Sequence, residues 1–338
     1  MGWPGGWYIA CRSAVLKRAP VAVCVAGERV VLFRGREGRP NGLEDRCAHR
    51  GAPLSAGCVE GDALRCPYHG WSYDGSGRVR EVPSLASMAR MPEGACVRAF
   101  PCLESQGYVW VWTGAHEAPR MPHVFAHLDE SGWSHFRMQT RFPASVETCL
   151  ENFLDCPHAS YVHRGWFRAP TGRLVKAVVR TLDDGAEAEY FEEPRTGSLV
   201  WRLLAPRSGG MTHTDRFIAP NVSQVDYAFP NGLHYTITSC CTPIATRETI
   251  VHTVISFRWG ALGPLVRLVF EPLSRIIIRQ DVRMIALQRA NLDRFGQSTF
   301  VSSEADLLAP LIVAWNHALR VGESAPKPGS VRHVELRI

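Results

Sequence analysis

Cys47-Ala48-His49 is followed after sixteen residues by Cys66-Pro67-Tyr68-His69, so two short loops each carry one thiol and one imidazole. Two thiolates and two imidazoles are able to hold two irons. A [2Fe–2S] cluster with Cys47 and Cys66 on one iron and His49 and His69 on the other has a potential of roughly −150 to +300 mV. That is higher than for an all-cysteine cluster, because neutral imidazole donates less charge than thiolate. The competing ion is zinc, whose sites of two Cys and two His usually place the Cys pair first and the His pair second. Here the order is mixed. Iron–sulfur is the expected cofactor and zinc the alternative.

A second group lies in Glu151-Asn152-Phe153-Leu154-Asp155-Cys156-Pro157-His158-Ala159-Ser160-Tyr161-Val162-His163, where two histidines and acidic side chains share an apolar helical stretch. Two imidazoles and one carboxylate on Fe(II) leave positions open, which is what O2 activation requires. On an ideal helix His158 and His163 diverge by about 140°. Pro157 removes a backbone donor and disturbs the preceding turn, so a kink or helix end is expected to let both rings converge. Two surface histidines near a helix end are the alternative. Asp155 is only three residues before His158, too near to be the third ligand, but placed to hold the second nitrogen of that ring. The third ligand is expected at Asp281, in the middle of an apolar stripe of Ile277, Ile278, Met284 and Ile285. A buried aspartate is costly unless paired or bound to metal. An ion pair with Arg279 or Arg283 is the alternative there, and Asp293 and Glu271, nearer the helix ends, are secondary candidates.

These residues need two different frames. The first third of the chain has short β-like runs (Val21–Val25, Arg29–Phe33, Tyr108–Trp112) broken by Gly and Pro, which predicts a small loop-rich β domain. The Pro-bearing stretch 114–123 reads as a linker, giving domains 1–114 and 115–338. Beyond it come a helical segment near Ser145–Val162 and two hairpin signals. Leu174–Leu182 and Ala186–Phe191 flank Asp183-Asp184-Gly185, and Ser223–Phe229 and Leu233–Cys241 flank Pro230-Asn231-Gly232. A long amphipathic helix from about Pro272 to Phe295 follows. The fold class is α+β, its second part an antiparallel sheet gripped by helices.

Composition narrows the setting. The chain has 338 residues, 46% of them hydrophobic, enough for a real core in one large or two ordinary domains. The longest charge-free segment, Tyr227 to Thr246, contains Pro230, Asn231, Gly232 and Pro243, and the greasy stretch Trp259 to Ile278 contains Arg267, Glu271 and Arg275. Neither reads as a transmembrane span. The start shows no signal-peptide pattern, and eleven cysteines, an odd number, fit reduced thiols in a cytoplasm better than disulfides. The net charge of +6 is carried almost wholly by arginine, and no basic run interleaved with aromatics points to nucleic acid.

The strings Cys47-Ala48-His49-Arg50-Gly51 and Cys66-Pro67-Tyr68-His69-Gly70-Trp71 resemble the Rieske motif of ring-hydroxylating oxygenases. Rieske proteins of respiratory complexes carry two further cysteines here that form a disulfide. This chain has Ala52 and Tyr68 instead, which favours the oxygenase or ferredoxin branch and a lower potential. Cys58, between the pairs, is taken as structural. Asp155-x-x-His158-x4-His163 is similar to the catalytic motif of the Rieske non-haem iron oxygenases, and Asp281 falls where that family places its carboxylate. The resemblance implies that Asp155 links His69 of one subunit to His158 of the next across a trimer interface. The short length is similar to the monooxygenase and demethylase members, which typically form homotrimers. It further implies electrons from NAD(P)H through a separate flavin reductase, with or without a ferredoxin, and O2 as co-substrate.

Monooxygenation is thus expected ahead of dioxygenation. The rival from another class is a non-enzymatic Rieske electron carrier with a ligand-binding domain; a zinc-stabilised binding module stands third. The substrate pocket is expected among the strands from Leu174 to Trp259 and the helix bearing Asp281. Tyr190, Trp201, Phe217 and Phe257 are the expected lining, suited to a hydrophobic, cyclic or aromatic compound.

Overall fold

A computed structural model of the chain describes residues 2–87, 94–116, 118, 120–166, 171–191, 193, 210–296 and 300–338. They form two compact units, Gly2–Val124 and Phe125–Ile338. The division follows the Pro-bearing stretch 114–123.

The first unit is built from short strands. In chain order they are β1 (Trp7–Arg12), β2 (Val21–Val25), β3 (Glu28–Arg34), β4 (Pro40–Glu44), β5 (Cys58–Glu60) and β6 (Ala63–Arg65). Then come β7 (Ser72–Tyr73), β8 (Val79–Glu81), β9 (Ala99–Phe100), β10 (Cys102–Ser105) and β11 (Tyr108–Trp112). They pair as three sheets, β1-β11-β10, β2-β3-β4-β9 and β5-β6-β7-β8. The β-branched run of β3 serves two cores at once, because successive side chains of a strand point to opposite faces. Val30 and Leu32 enter one cluster with Val25, Val109 and Val111. Val31 and Phe33 enter another with Leu43, Leu54, Leu64, Tyr73, Cys47 and Cys66. The two thiols of the first motif are therefore packed into a hydrophobic core while their loops reach the surface.

The second unit is one antiparallel sheet with helices on it. Its elements are β12 (Trp133–Phe142), α1 (Val146–Phe153), α2 (Ala159–Val162), β13 (Leu174–Leu182), β14 (Gly185–Phe191), β15 (Thr212–Ile218) and β16 (Val222–Ala228). After these come β17 (His234–Ala245), β18 (Glu248–Arg258), α3 (Gly263–Phe295), α4 (Ala309–Val321) and β19 (Val331–Arg337). The sheet order is β12-β18-β17-β16-β15-β14-β13-β19. Both expected hairpins are present, with β13 on β14 and β16 on β17.

Three expectations need correction. The segment Ser145–Val162 is two helices. Ser145 caps the first, its Oγ accepting from Thr148 N–H at 3.2 Å. Because the residue before a proline avoids the helical region, α1 does not run on through Cys156 and Pro157. The helix expected from Pro272 begins at Gly263, with Pro264 in its first turn and Pro272 inside it. Pro272 and Leu268, whose carbonyl loses its helical partner there, are both exposed, so the interruption falls on the outer face of the helix. Met284, placed in the buried stripe, is 47% exposed, whereas Ile285 and Asp281 are buried. No disulfide joins any of the described cysteines, and Cys58 is exposed. No helix among the described residues is long and apolar enough to cross a membrane.

Candidate metal centres

The two Cys/His loops of the first unit share one geometry. In each, the cysteine N–H donates to the carbonyl five residues on, Cys47 to Ala52 and Cys66 to Trp71, both at 2.8 Å. The glycine four residues on returns a hydrogen bond to the cysteine carbonyl, Gly51 at 2.8 Å and Gly70 at 3.2 Å. These glycines have φ of +74° and +72°, a conformation that a side chain would oppose. Cys47 and Cys66 are buried, while His49 is partly exposed and His69 exposed. The two imidazole rings lie 4.6 Å apart. Among the described residues, His49 Nδ1 is buried without a hydrogen-bond partner. Two inner thiols, two outer imidazoles and an unclaimed ring nitrogen fit a [2Fe–2S] cluster. Burial pushes the Cys66 thiol pKa up, so the thiolate form depends on a cation beside it.

Two aromatic residues complete this site. The Trp71 ring stacks on His49 at 4.8 Å and 4°. Tyr73 Oη lies 3.1 Å from Cys47 Sγ and accepts from Ala48 N–H at 3.0 Å. The sequence motif did not single out either as functional.

In the second unit the break between α1 and α2 performs what a continuous helix forbids. His158 is the residue before α2 and His163 the residue after it, and their rings meet edge to face at 5.3 Å. Asp281 of α3 approaches both: its Oδ1 is 3.0 Å from His163 Nε2 and 3.6 Å from His158 Nε2. One donor atom from each of the three residues lies within 4.8 Å of the others. The opposite ring nitrogens are held in place. His158 Nδ1 donates to the Asp155 backbone carbonyl and lies 3.4 Å from the Asp155 carboxylate. His163 Nδ1 donates to Gln280 Oε1 at 2.8 Å. Burial opposes a charged His158, but Asp155 and Asp281 outweigh it and push its pKa up to about 9. Burial likewise opposes an ionised Asp281, yet the two histidines hold its pKa down. A carboxylate facing the Nε2 atoms of two imidazoles fits a divalent cation, which would take the place of the proton between them.

The other groups considered for this position lie elsewhere or are paired elsewhere. Arg279 and Arg283 are exposed, Asp293 pairs with Arg247, and Glu271 bridges Arg267 and Arg275 at 3.0 and 2.7 Å.

A cavity of about 160 Å³ borders the His158–His163–Asp281 group. Its walls are one face of the sheet, carrying Val225, Tyr227, Tyr235, Ile237 and Ile255, and Phe270, Ile277 and Ile278 of α3. The expected lining was wrong in its particulars. Phe217 and Phe257 are fully buried in the packed cores, Tyr190 stacks behind His213, and Trp201 lies outside the described residues. Tyr190, Phe217 and Phe257 lie in the same cross-strand rows as lining residues but on the strands that flank the cavity at those rows. A buried group of His213, Asp215 and Glu193 was not anticipated, and His213 and Asp215 reach the cavity wall. Its signal is the alternation His213, Asp215, Phe217, which turns two ionisable residues the same way as a core phenylalanine. Cys156, Glu193 and His213 also bring donor atoms within 4.8 Å. Both ring nitrogens of His213 already face carboxylates, however, at 2.6 and 3.1 Å, so the group is an ion-paired cluster.

Comparison with known proteins agrees with this geometry. Residues 6–101 match the Rieske [2Fe–2S] domain and residues 107–315 the vanillate O-demethylase oxygenase C-terminal domain. The chain is 32% identical to Protein TIC 55 of Pisum sativum over 85% of its own length and 52% of that protein. It is 31% identical to the vanillate O-demethylase oxygenase subunit of a Pseudomonas species over 46% of its own length and 44% of that protein. The chain thus spans about half the length of the curated relatives it matches. The crystal structure of dicamba monooxygenase bound to dicamba superposes with a TM-score of 0.79 at 23% identity, covering 94% of this chain and 97% of that one. At that identity the likeness is one of fold.

Proposed function

Because the chain belongs to the Rieske oxygenases, with a vanillate O-demethylase-type oxygenase domain after its Rieske [2Fe–2S] domain, we propose that it is the oxygenase component of a multicomponent monooxygenase acting on a hydrophobic ring compound. In this reading one atom of O2 enters the substrate, and the other leaves as water with two electrons and two protons. The electrons come from NAD(P)H through a flavin reductase, with or without a ferredoxin. Cys47, His49, Cys66 and His69 hold the cluster; His158, His163 and Asp281 hold the mononuclear iron. When bound, the cluster supplies electrons one at a time and the Fe(II) supplies the open positions at which O2 is activated.

The chain's own residues set the conditions. Asp155 and Gln280 fix the tautomers of His158 and His163 so that both Nε2 atoms are left for the metal. The buried apolar wall excludes water and orients a flat substrate against that face. The Asp155 side chain is 37% exposed, which leaves it able to meet His69 of another subunit in a homotrimer while it holds His158.

The observation that carries this reading is the convergence of His158, His163 and Asp281 on one point beside an apolar cavity. The test is metal analysis of protein purified without oxygen. About three irons and two labile sulfides per chain are expected. His158→Ala or His163→Ala should lose about one of the three irons, keep the visible spectrum and abolish coupled O2 and NADH consumption. Zinc in place of iron, or turnover by either variant, would overturn it.

A further inference from the structure

Three neighbouring strands carry a second polar group to the cavity. Tyr190 of β14, His213 of β15 and Tyr227 of β16 are register partners, and the imidazole is stacked between the two phenol rings at 4.4 and 4.3 Å. His213 Nδ1 donates to Glu193 Oε2 at 2.6 Å and Nε2 to Asp215 Oδ1 at 3.1 Å. Tyr190 Oη donates to Asp215 Oδ2 at 3.0 Å. His213 and Asp215 are 1% and 2% exposed, so this arrangement is rigid and dry. Burial opposes the charged imidazolium, but Asp215 and Glu193 outweigh it and raise the His213 pKa.

Donors and acceptors are not left in balance. Both ring nitrogens of His213 and the Tyr190 hydroxyl are directed at carboxylates within the group. An ionised carboxylate has about four acceptor sites, and Asp215 uses two of them on these donors. Toward the cavity Asp215 therefore offers acceptors, and an anion placed beside it would meet a buried like charge. The neighbouring lining of its row is apolar, Val225 and then Ile237 and Ile255 across the register. An apolar cavity of about 150 Å³ holds benzene, so about 160 Å³ is room for a single ring.

We propose that Asp215 is the residue that selects the substrate, and that the substrate is a single-ring compound carrying a hydrogen-bond donor, a hydroxyl or an amine N–H, with no carboxylate or sulfonate on the ring. This rests on the oxygenase reading, which makes the cavity the substrate site. His213, Glu193 and Tyr190 act as positioning residues that hold the Asp215 carboxylate turned into place.

The test is equilibrium binding to the anaerobic holoprotein, read by titration calorimetry with near-isosteric probes: para-cresol, para-toluidine, toluene and para-toluate. Cresol or toluidine should bind at least about tenfold more tightly than toluene, and toluate should not bind. Asp215→Asn should cut the donor preference by roughly tenfold and admit toluate, with iron content unchanged. Equal affinity for cresol, toluidine and toluene, or tighter binding of toluate, in the wild-type protein would overturn the proposal; the wild-type panel decides alone if the variant does not fold. Binding needs no turnover, so a protein with iron at both centres but no donor preference fails only this inference. A protein without the mononuclear iron fails the oxygenase reading itself.

Discussion

His163 Nδ1 and Gln280 Oε1 lie 2.8 Å apart, joining a candidate metal ligand on one element to the residue just before another, Asp281. The amide thereby fixes which nitrogen His163 leaves for the metal. Gln280→Ala frees the ring and should weaken iron binding about 10- to 100-fold. Dialysis against a graded series of chelators, followed by iron analysis, measures this. Unchanged retention of the third iron would reduce Gln280 to a packing residue.

Tyr73 sits behind Cys47 in the same way, 3.1 Å from its sulfur. A hydroxyl donating to that sulfur favours the reduced, more negative cluster. If the bond is worth about 1 kcal/mol more to the reduced form, Tyr73→Phe should lower the potential by roughly 40 mV. His49→Cys or His69→Cys should lower it much further, since thiolate replaces imidazole. Redox titration followed by visible absorbance gives both values. A potential that does not fall in Tyr73→Phe would mean that the hydroxyl serves Ala48 N–H alone.

These two residues also show where sequence reading stops. Cys47, His49, Cys66 and His69 were legible because each pair is local and its residue types have few other uses in that spacing. His158 and His163 were legible only through Pro157, which explains how a helix-incompatible spacing converges. Asp281 was legible as an acid in an apolar stripe, although Met284 of that stripe faces outward. Gln280 was not, because its partner is 117 residues away and a glutamine beside an aspartate has no signature. The strands of the sheet were readable, but the place along each cross-strand row where the core opens into a cavity was not. That is why Phe217 and Phe257 were placed on the wall and His213 and Asp215 were overlooked.

Burial pushes the Glu151 pKa up to about 7, and Glu147, Asp306 and Asp155 add to it. The folded chain therefore holds a proton that the unfolded chain releases near pH 4.5. Stability from this group is full below about 4.5, falls as pH rises, and is gone above about 7. Glu151→Gln removes the charge that burial disfavours. It should raise the melting temperature by a few degrees at pH 8, with a smaller gain at pH 5. Thermal unfolding at the two pH values checks the sign, and an equal gain at both would assign the effect to something other than ionisation.

Asp155 differs from the other residues around His158 because it faces two ways. Its carboxylate is 3.4 Å from His158 Nδ1 and its side chain is 37% exposed. Those two facts together suit a bridge from His158 to a histidine on another subunit, His69 in the proposed trimer, and not a ligand role. Asp155→Asn retains the size and one acceptor oxygen, and the backbone carbonyl still holds His158 Nδ1. Both metals should therefore remain, while electron passage from cluster to mononuclear iron slows by about 100-fold or more. The measurement is single-turnover reoxidation of the prereduced cluster with O2 and substrate present, alongside sedimentation to establish the oligomer. Asp155→Glu, which keeps the charge, should recover part of the rate, a recovery that a purely structural role would not produce. A monomeric protein, or an Asp155→Asn cluster that reoxidises at the wild-type rate, would remove the bridge and leave Asp155 as the residue that orients His158.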